Sequence, residues 1–287
     1  MAKTVYLAYK GIFSSRLVPP SSSWISFGSS RSFAMASTHL PSPLRPFTLA
    51  DESCPFIVRG PAALQTAHNP LDFELYRNVF NVEEQSIWAK FLLSILDSNK
   101  PPDSSKTKPR EIPAKTKSAP GFKPAESYDF EPGEPGMVLS DYRLQEIYGL
   151  DQFSDPLIRP LLDRLLALRP RPSSIVGHIL HLGPNGQIAP HLDNPCDSGP
   201  ISLSLGLGGP KVMHLLADEK GKDVAYKILL EPGSVYLHRD SVRYRLCHAF
   251  PHLDEFSGKF VGGSQRLSLI LRLKNIHTCF LYSRIRA

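Results

Sequence analysis

The sequence predicts an α+β chain, with a sandwich or jelly roll of short strands in its C-terminal half and helices before it. Two observations carry this. After Pro172 the chain turns into short runs rich in Val, Ile, Leu and Tyr, separated by Gly and Pro turns. Before Pro172, two stretches repeat their apolar residues at helical spacing. No Gly-rich phosphate loop leads into a helix, and no internal repeat stands out. The 287 residues, 41% hydrophobic and 9% aromatic, suffice for one substantial domain with extensions. No apolar run reaches the roughly 18 to 20 residues of a membrane-spanning helix, so no membrane span is expected.

Residues 1–50 carry Lys3, Lys10, Arg16, Arg31 and Arg45, no acid, and 11 serines interleaved with Phe13, Trp24, Ile25 and Phe27. A basic, serine-rich, acid-free stretch without a continuous apolar core has the composition of an organelle transit peptide. A mitochondrial address is the first expectation and a plastid address the alternative. Those five charges supply most of the net +6, and the other 237 residues hold 28 basic and 27 acidic side chains. The basic excess that would suggest an acidic partner is therefore largely confined to the leader.

Asn81-Val-Glu-Glu84 reads as a helix start, with Asn81 as N-cap and Glu84 as the capping-box acid. Ile87, Trp88, Phe91, Leu92 and Ile95 continue it to about Leu96 as an apolar stripe that should pack on a sheet. From Asp97 to Gly136, eight prolines and seven Lys or Arg without apolar periodicity read as a long exposed loop. Its run KTKPREIPAKTK, Lys106 to Lys117, is a solvated linker or a phosphate contact. A second helix is expected from Asp155 to Leu168, capped by Asp155, with Pro156 at its first position and Leu157, Leu161, Leu162, Leu165 and Leu168 on its buried face. The strand runs are SIVGHILHL, PISLSLGL, KVMHLL, VAYKILL, SVYLHR, YRLCHAF and QRLSLILRL, with GPNG, GLGGP and EPGS as turns. The expected division is a leader at 1–50, helices with the long loop at 51–173 and the strand core at 174–280. Cys54, Cys196, Cys247 and Cys279 lie far apart with no C-x-x-C spacing, so buried thiols are expected rather than disulfides or structural zinc.

The segment PHLDNPCD, Pro190 to Asp197, sets His191 and Asp193 two residues apart. On an extended chain both side chains leave the same face and can grip one ion. A third ligand must come from another strand, and His248 in YRLCHAF is the best placed. Two histidines and a carboxylate form the facial triad of non-haem Fe(II), with zinc as the competing metal. His178, His181, His214 and His238 are substitutes under a different register. Arg266 and Arg272, six residues apart on one apolar run, share a face, where buried arginine is costly unless it meets a carboxylate. Their α-carbons would stand roughly 20 Å apart, so inward-leaning side chains could embrace a small dicarboxylate.

Together, His191-x-Asp193, His248 and the Arg266/Arg272 pair resemble the signature of the AlkB-type Fe(II)/2-oxoglutarate-dependent dioxygenases. HILHLGPNGQIAPHLD, LLEPGSVYLHRDSVRYRLCH and QRLSLILR look like the mitochondrial branch of that family numbered seventh. The resemblance is strong from about Ser174 to Leu273, faint from Asn81 to Arg169, and does not reach the first 50 residues. It implies a double-stranded β-helix (jelly-roll) core with flanking N-terminal helices. It further implies Fe(II) on His191, Asp193 and His248, with 2-oxoglutarate as cosubstrate and O2 as oxidant. Arg266 would pair with the distal carboxylate of 2-oxoglutarate, Arg272 would lie near its iron-bound end, and Tyr236 would hydrogen-bond it. The implied reaction yields succinate and carbon dioxide and hydroxylates an aliphatic carbon; an N-methyl product would collapse to formaldehyde.

Members that repair DNA carry an Asn-x-Tyr pair on the strand before His-x-Asp; here Leu180-His181-Leu182 stands at that place, a departure that points away from repair. The near-neutral body, this departure and the likeness to the seventh branch, whose members resemble protein hydroxylases, favour a protein side chain as substrate, and the leader points to the mitochondrial matrix. Methylated mitochondrial RNA, or DNA, is the second expectation, and a non-catalytic jelly-roll binding protein the third. No motif speaks to oligomeric state, and a monomer is assumed.

Overall fold

A computed structural model describes residues 44–98, 119–169, 174–193, 199–218 and 222–274. Most of the expected leader, the basic run from Lys106 to Lys117, Cys196 and Cys279 lie outside the described residues. Four strands precede Ser174: β1 (Phe47–Thr48), β2 (Ile57–Arg59), β3 (Phe73–Tyr76) and β4 (Leu139–Tyr148). All seven expected strand runs then form, as β5 (Ser174–His191), β6 (Ile201–Gly208), β7 (Lys211–Leu216), β8 (Val224–Leu230), β9 (Val235–Arg239), β10 (Cys247–Phe250) and β13 (Arg266–Lys274). Between the last two, β11 (Leu253–Phe256) and β12 (Lys259–Gly262) make a separate hairpin. The other strands form one antiparallel sheet in the order β1-β3-β9-β6-β13-β5-β10-β7-β8-β2, with β4 also on β5.

The sheet curls at β5. Its first half pairs with β13 and β4, whereas His191 and Ile188 in its last part pair with His248 and Phe250 of β10. The expected turn GPNG does not end this strand. Tyr142 pairs with Leu182 and Ser140 with Gln187, so residues 183–186 stand against Asp141 alone as a wide bulge. Asp141, at φ 51°, accepts a hydrogen bond from the Asn185 N–H at 3.0 Å, and its carboxylate occupies the space where a Gly183 side chain would begin. Extra residues on one strand bend it, so one bent strand serves both walls of the jelly roll. Lys211 staples the bend, its ammonium donating to the carbonyls of Gly186, Pro251 and His252 at 2.7 to 3.0 Å.

Helix α1 (Val82–Ser98) starts as expected: the Glu84 N–H donates to Asn81 Oδ1 and the Asn81 N–H to Glu84 Oε2, both at 2.9 Å. Trp88, Leu92 and Leu96 then meet Leu161, Leu162 and Leu165 of α2 (Arg159–Leu166) in one core. The sheet gives that core its odd-numbered side chains, including Leu203, Leu205, Leu267, Leu269 and Leu271. The even-numbered face, with Ser202, Ser204, Tyr236, Arg266 and Arg272, turns to the inside of the roll.

The boundaries need correction. Residues 51–173 are not simply helices, because β2, β3 and β4 join the same sheet as the later strands. The end of the 1–50 segment is folded too: β1 pairs with β3 and Leu49 is buried. Helix α2 begins three residues late, since Asp155 spends its side chain on the Leu157 N–H in a turn and Ile158 takes the capping position. Among the described residues no helix is long and apolar enough to cross a membrane.

Candidate metal centre

The bend in β5 delivers His191 to the strand end, directly across from His248 of β10. Asp193 follows two residues later, and one ligand atom from each of the three lies within 4.8 Å of the others. His191 Nδ1 sits 3.0 Å from the Ala189 carbonyl, which fixes the proton there and leaves Nε2 with its lone pair. Burial lowers the pKa of both histidines, and His191 adds to the effect on His248. Burial alone would raise the Asp193 carboxyl, but Arg243 and Arg272 outweigh it and hold the group well below the usual carboxylate range. Two neutral imidazoles and one carboxylate are a donor set that suits Fe(II), and suits zinc as well.

Asp193 is held by two arginines. Arg243 lies on the short helix α3 (Asp240–Arg245) and is 1% exposed. Its Nη1 donates to Asp193 Oδ2 at 2.5 Å, its Nε donates to the Gly199 carbonyl at 3.0 Å, and His238 Nε2 lies 2.9 Å from Nη1. Arg272 Nη2 reaches the other carboxylate oxygen at 3.1 Å. Sequence reasoning missed Arg243 and held His238 only as a substitute ligand. The one local signal was the crowding of arginines in RDSVRYR just before His248.

The centre opens into a cavity of about 530 Å³ that His191, Asp193, His248, Tyr236, Arg266 and Arg272 all line. Arg266 is 2% exposed, and its Nη1 donates to the carbonyls of Gly209 at 3.0 Å and Leu230 at 3.2 Å. Among the described residues no carboxylate forms an ion pair with it, and burial lowers its pKa to about 10. A buried guanidinium without an acid is an anion site in waiting. Gly206 makes the space: a Cβ there would stand 2.7 Å from Arg266 Cζ and closer still to Nη2. Tyr236, stacked on Phe73, is buried beside it. The two arginines share a face as expected but are not equivalent, since Arg272 is already committed to Asp193 and contacts His178 Nδ1.

The remaining histidines separate cleanly. His178 lies on the cavity wall, and burial followed by Arg272 lowers its pKa to about 4. His181 faces the opposite side of the sheet, against Tyr128, Phe130 and Phe122, and His214 pairs with Asp254 at 2.7 Å. At the place of the Asn-x-Tyr pair, Leu180 and Leu182 therefore point into the cavity. With Leu144, Val176, Ile188 and Ile270 they make an aliphatic wall.

A jelly roll with a two-histidine, one-carboxylate cluster beside a buried arginine defines a class: a candidate metal site that shares its cavity with a buried cation. No protein-family model matches the chain. Over 98 residues, 33% of this chain, it is 37% identical to the alpha-ketoglutarate-dependent dioxygenase alkB homolog 7, mitochondrial, of Bos taurus. The Mus musculus protein of the same name is 36% identical over 97 residues. The match spans 43% of the length of each of these relatives. The solved structure of OsALKBH1 aligns with 72% of this chain and 100% of its own, at a TM-score of 0.44 and 12% identity. The resemblance to AlkB-type dioxygenases read from the motifs thus extends over an aligned stretch of 98 residues.

Proposed function

We propose that the protein is an Fe(II)- and 2-oxoglutarate-dependent dioxygenase that hydroxylates an aliphatic carbon of a protein side chain in mitochondria. One observation carries this reading: a candidate metal-ligand cluster and a buried arginine that pairs with no acid among the described residues line a single cavity. His191, Asp193 and His248 would hold the iron, Arg266 and Tyr236 the distal carboxylate of 2-oxoglutarate, and Arg272 would border its other end. When bound, iron with 2-oxoglutarate and O2 supplies an oxidant that turns a C–H bond into C–OH, releasing succinate and carbon dioxide.

The chain's own residues prepare that chemistry. Arg243 and Arg272 keep Asp193 ionised and fix both of its oxygens. Burial keeps His191 and His248 neutral, so their lone pairs are available. Arg266, with no ion-paired acid of its own among the described residues, would orient a carboxylate, and the aliphatic wall would limit water at the reacting end. That wall, with the near-neutral body, supports a protein side chain over a nucleobase. The leader composition and the relatives' printed names support a mitochondrial address.

The test is succinate release by the purified chain with Fe(II), ascorbate, oxygen and 2-oxoglutarate, beside His191→Ala/Asp193→Ala. Release by the first and not the second is expected. Calorimetry showing that the wild type binds neither Fe(II) nor 2-oxoglutarate would overturn the reading.

A further inference from the structure

The cavity wall holds one acid that the chemistry above does not use. Glu146 on β4 lines the cavity directly across from His178 on β5, with its side chain 34% exposed. Tyr148, two residues along on the same face, donates its hydroxyl to Glu146 Oε2, and its ring is among the most exposed large side chains, at 73%. The other carboxylate oxygen lies 3.9 Å from His178 Nε2. Among the described residues no lysine or arginine forms an ion pair with Glu146. His178 does not neutralise it. Its Nδ1 faces a guanidinium nitrogen of Arg272, which can only donate, so Nδ1 accepts and the ring's one proton sits on Nε2, toward Glu146. A row of side chains thus runs from Asp193 through Arg272 and His178 to Glu146 and Tyr148. It leaves a negative charge and an exposed phenol ring against an otherwise aliphatic wall.

A carboxylate held at the hydroxyl end of an exposed phenol ring can receive an ammonium or guanidinium by a charge-assisted hydrogen bond, with the cation's alkyl stem along the ring. We propose that Glu146 and Tyr148 form a subsite for a cationic side chain, so that the substrate is a lysine- or arginine-bearing polypeptide segment. This rests on the protein-hydroxylase reading and narrows its substrate class. A polynucleotide would bring phosphates to a wall that already carries negative charge.

The test uses the full chain loaded with Zn(II) and 2-oxoglutarate, which binds without turnover. Two fluorescein-labelled pentapeptide libraries, degenerate at the flanks and centred on lysine or on norleucine, are titrated and followed by anisotropy. The wild type should prefer the lysine library by about tenfold, the scale of one charge-assisted hydrogen bond, and Glu146→Gln should lose that preference. Equal binding of both libraries, binding of neither, or a preference that survives Glu146→Gln overturns the proposal. So does tighter binding of a methylated oligoribonucleotide that Glu146→Gln further strengthens. A parallel titration of 2-oxoglutarate separates the failures: if it does not bind, the dioxygenase reading falls first; if it binds and the libraries do not differ, only the subsite falls.

Discussion

Replacing Gly206 with alanine isolates the anion site from the rest of the fold. Gly206 sits in β6 without a positive φ, so alanine strains no backbone. Its Cβ would nonetheless stand 2.7 Å from Arg266 Cζ, against a van der Waals separation of 3.4 to 4 Å. The guanidinium must therefore withdraw by most of an ångström or more, out of line with the Gly209 and Leu230 carbonyls that aim it. A hydrogen bond to a charged group contributes about 1.5–3 kcal/mol. Loss of one such bond to a bound carboxylate, at about 2 kcal/mol, weakens 2-oxoglutarate binding roughly 30-fold. Calorimetric titration of 2-oxoglutarate into the Zn(II)-loaded wild type and Gly206→Ala reads this directly, with melting temperatures as the control for folding. An unchanged affinity in a folded variant would refute the assignment of Arg266 as the carboxylate partner.

Arg243→Met removes one of the two guanidiniums on Asp193 and should lower metal affinity by about 10–100-fold, measured by Co(II) absorbance; an unaltered titration would show that Arg243 is only packing. In the metal-free protein, Asp193→Ala strands Arg243 and Arg272 as buried charges and should cost about 3–5 kcal/mol in urea. His191→Ala leaves no buried charge behind and should cost distinctly less; equal losses would contradict the clamp. Stability should also fall steeply in mild acid. Burial holds His178, His181 and His238 at about 4, 3 and 4, below their ordinary 6.5. Their folded pKa values are lowered, so the unfolded chain binds protons that the folded one refuses: the stabilisation is complete above pH 6.5 and drains as pH falls toward 4. Near pH 5 the three together give a slope of about 4 kcal/mol per pH unit, seen as urea midpoints between pH 7 and 5, and a flat profile would contradict their burial as neutral rings.

The later strands were legible because their alternation is carried by large side chains with a core on one face and a cavity on the other. The early strands were not: β1 has two residues, and β3, FELY, is buried at every position, so neither alternates. GPNG misled for a physical reason, since glycines that make turns also make room for a bulge around Asp141. The cluster of His191, Asp193 and His248 was legible because metal ligation demands those side chains at spacings a strand can satisfy. Arg243 was not, because its partner Asp193 is 50 residues away and a six-residue helix imposes no pattern that asks for arginine.

Strand β13 lies between β5 and β6, and it is the last strand in the chain among the described residues. Without it the sheet divides into two unconnected halves, β1-β3-β9-β6 and the group running from β5 to β2. The three candidate metal ligands and Arg243 all precede it in the chain, but Arg272, the second clamp on Asp193, and Arg266, which pairs with no acid among the described residues, stand together on this one strand. A chain clipped before Arg266 would keep His191, Asp193, His248 and Arg243 yet lose Arg266, Arg272 and the strand that joins the two halves of the sheet.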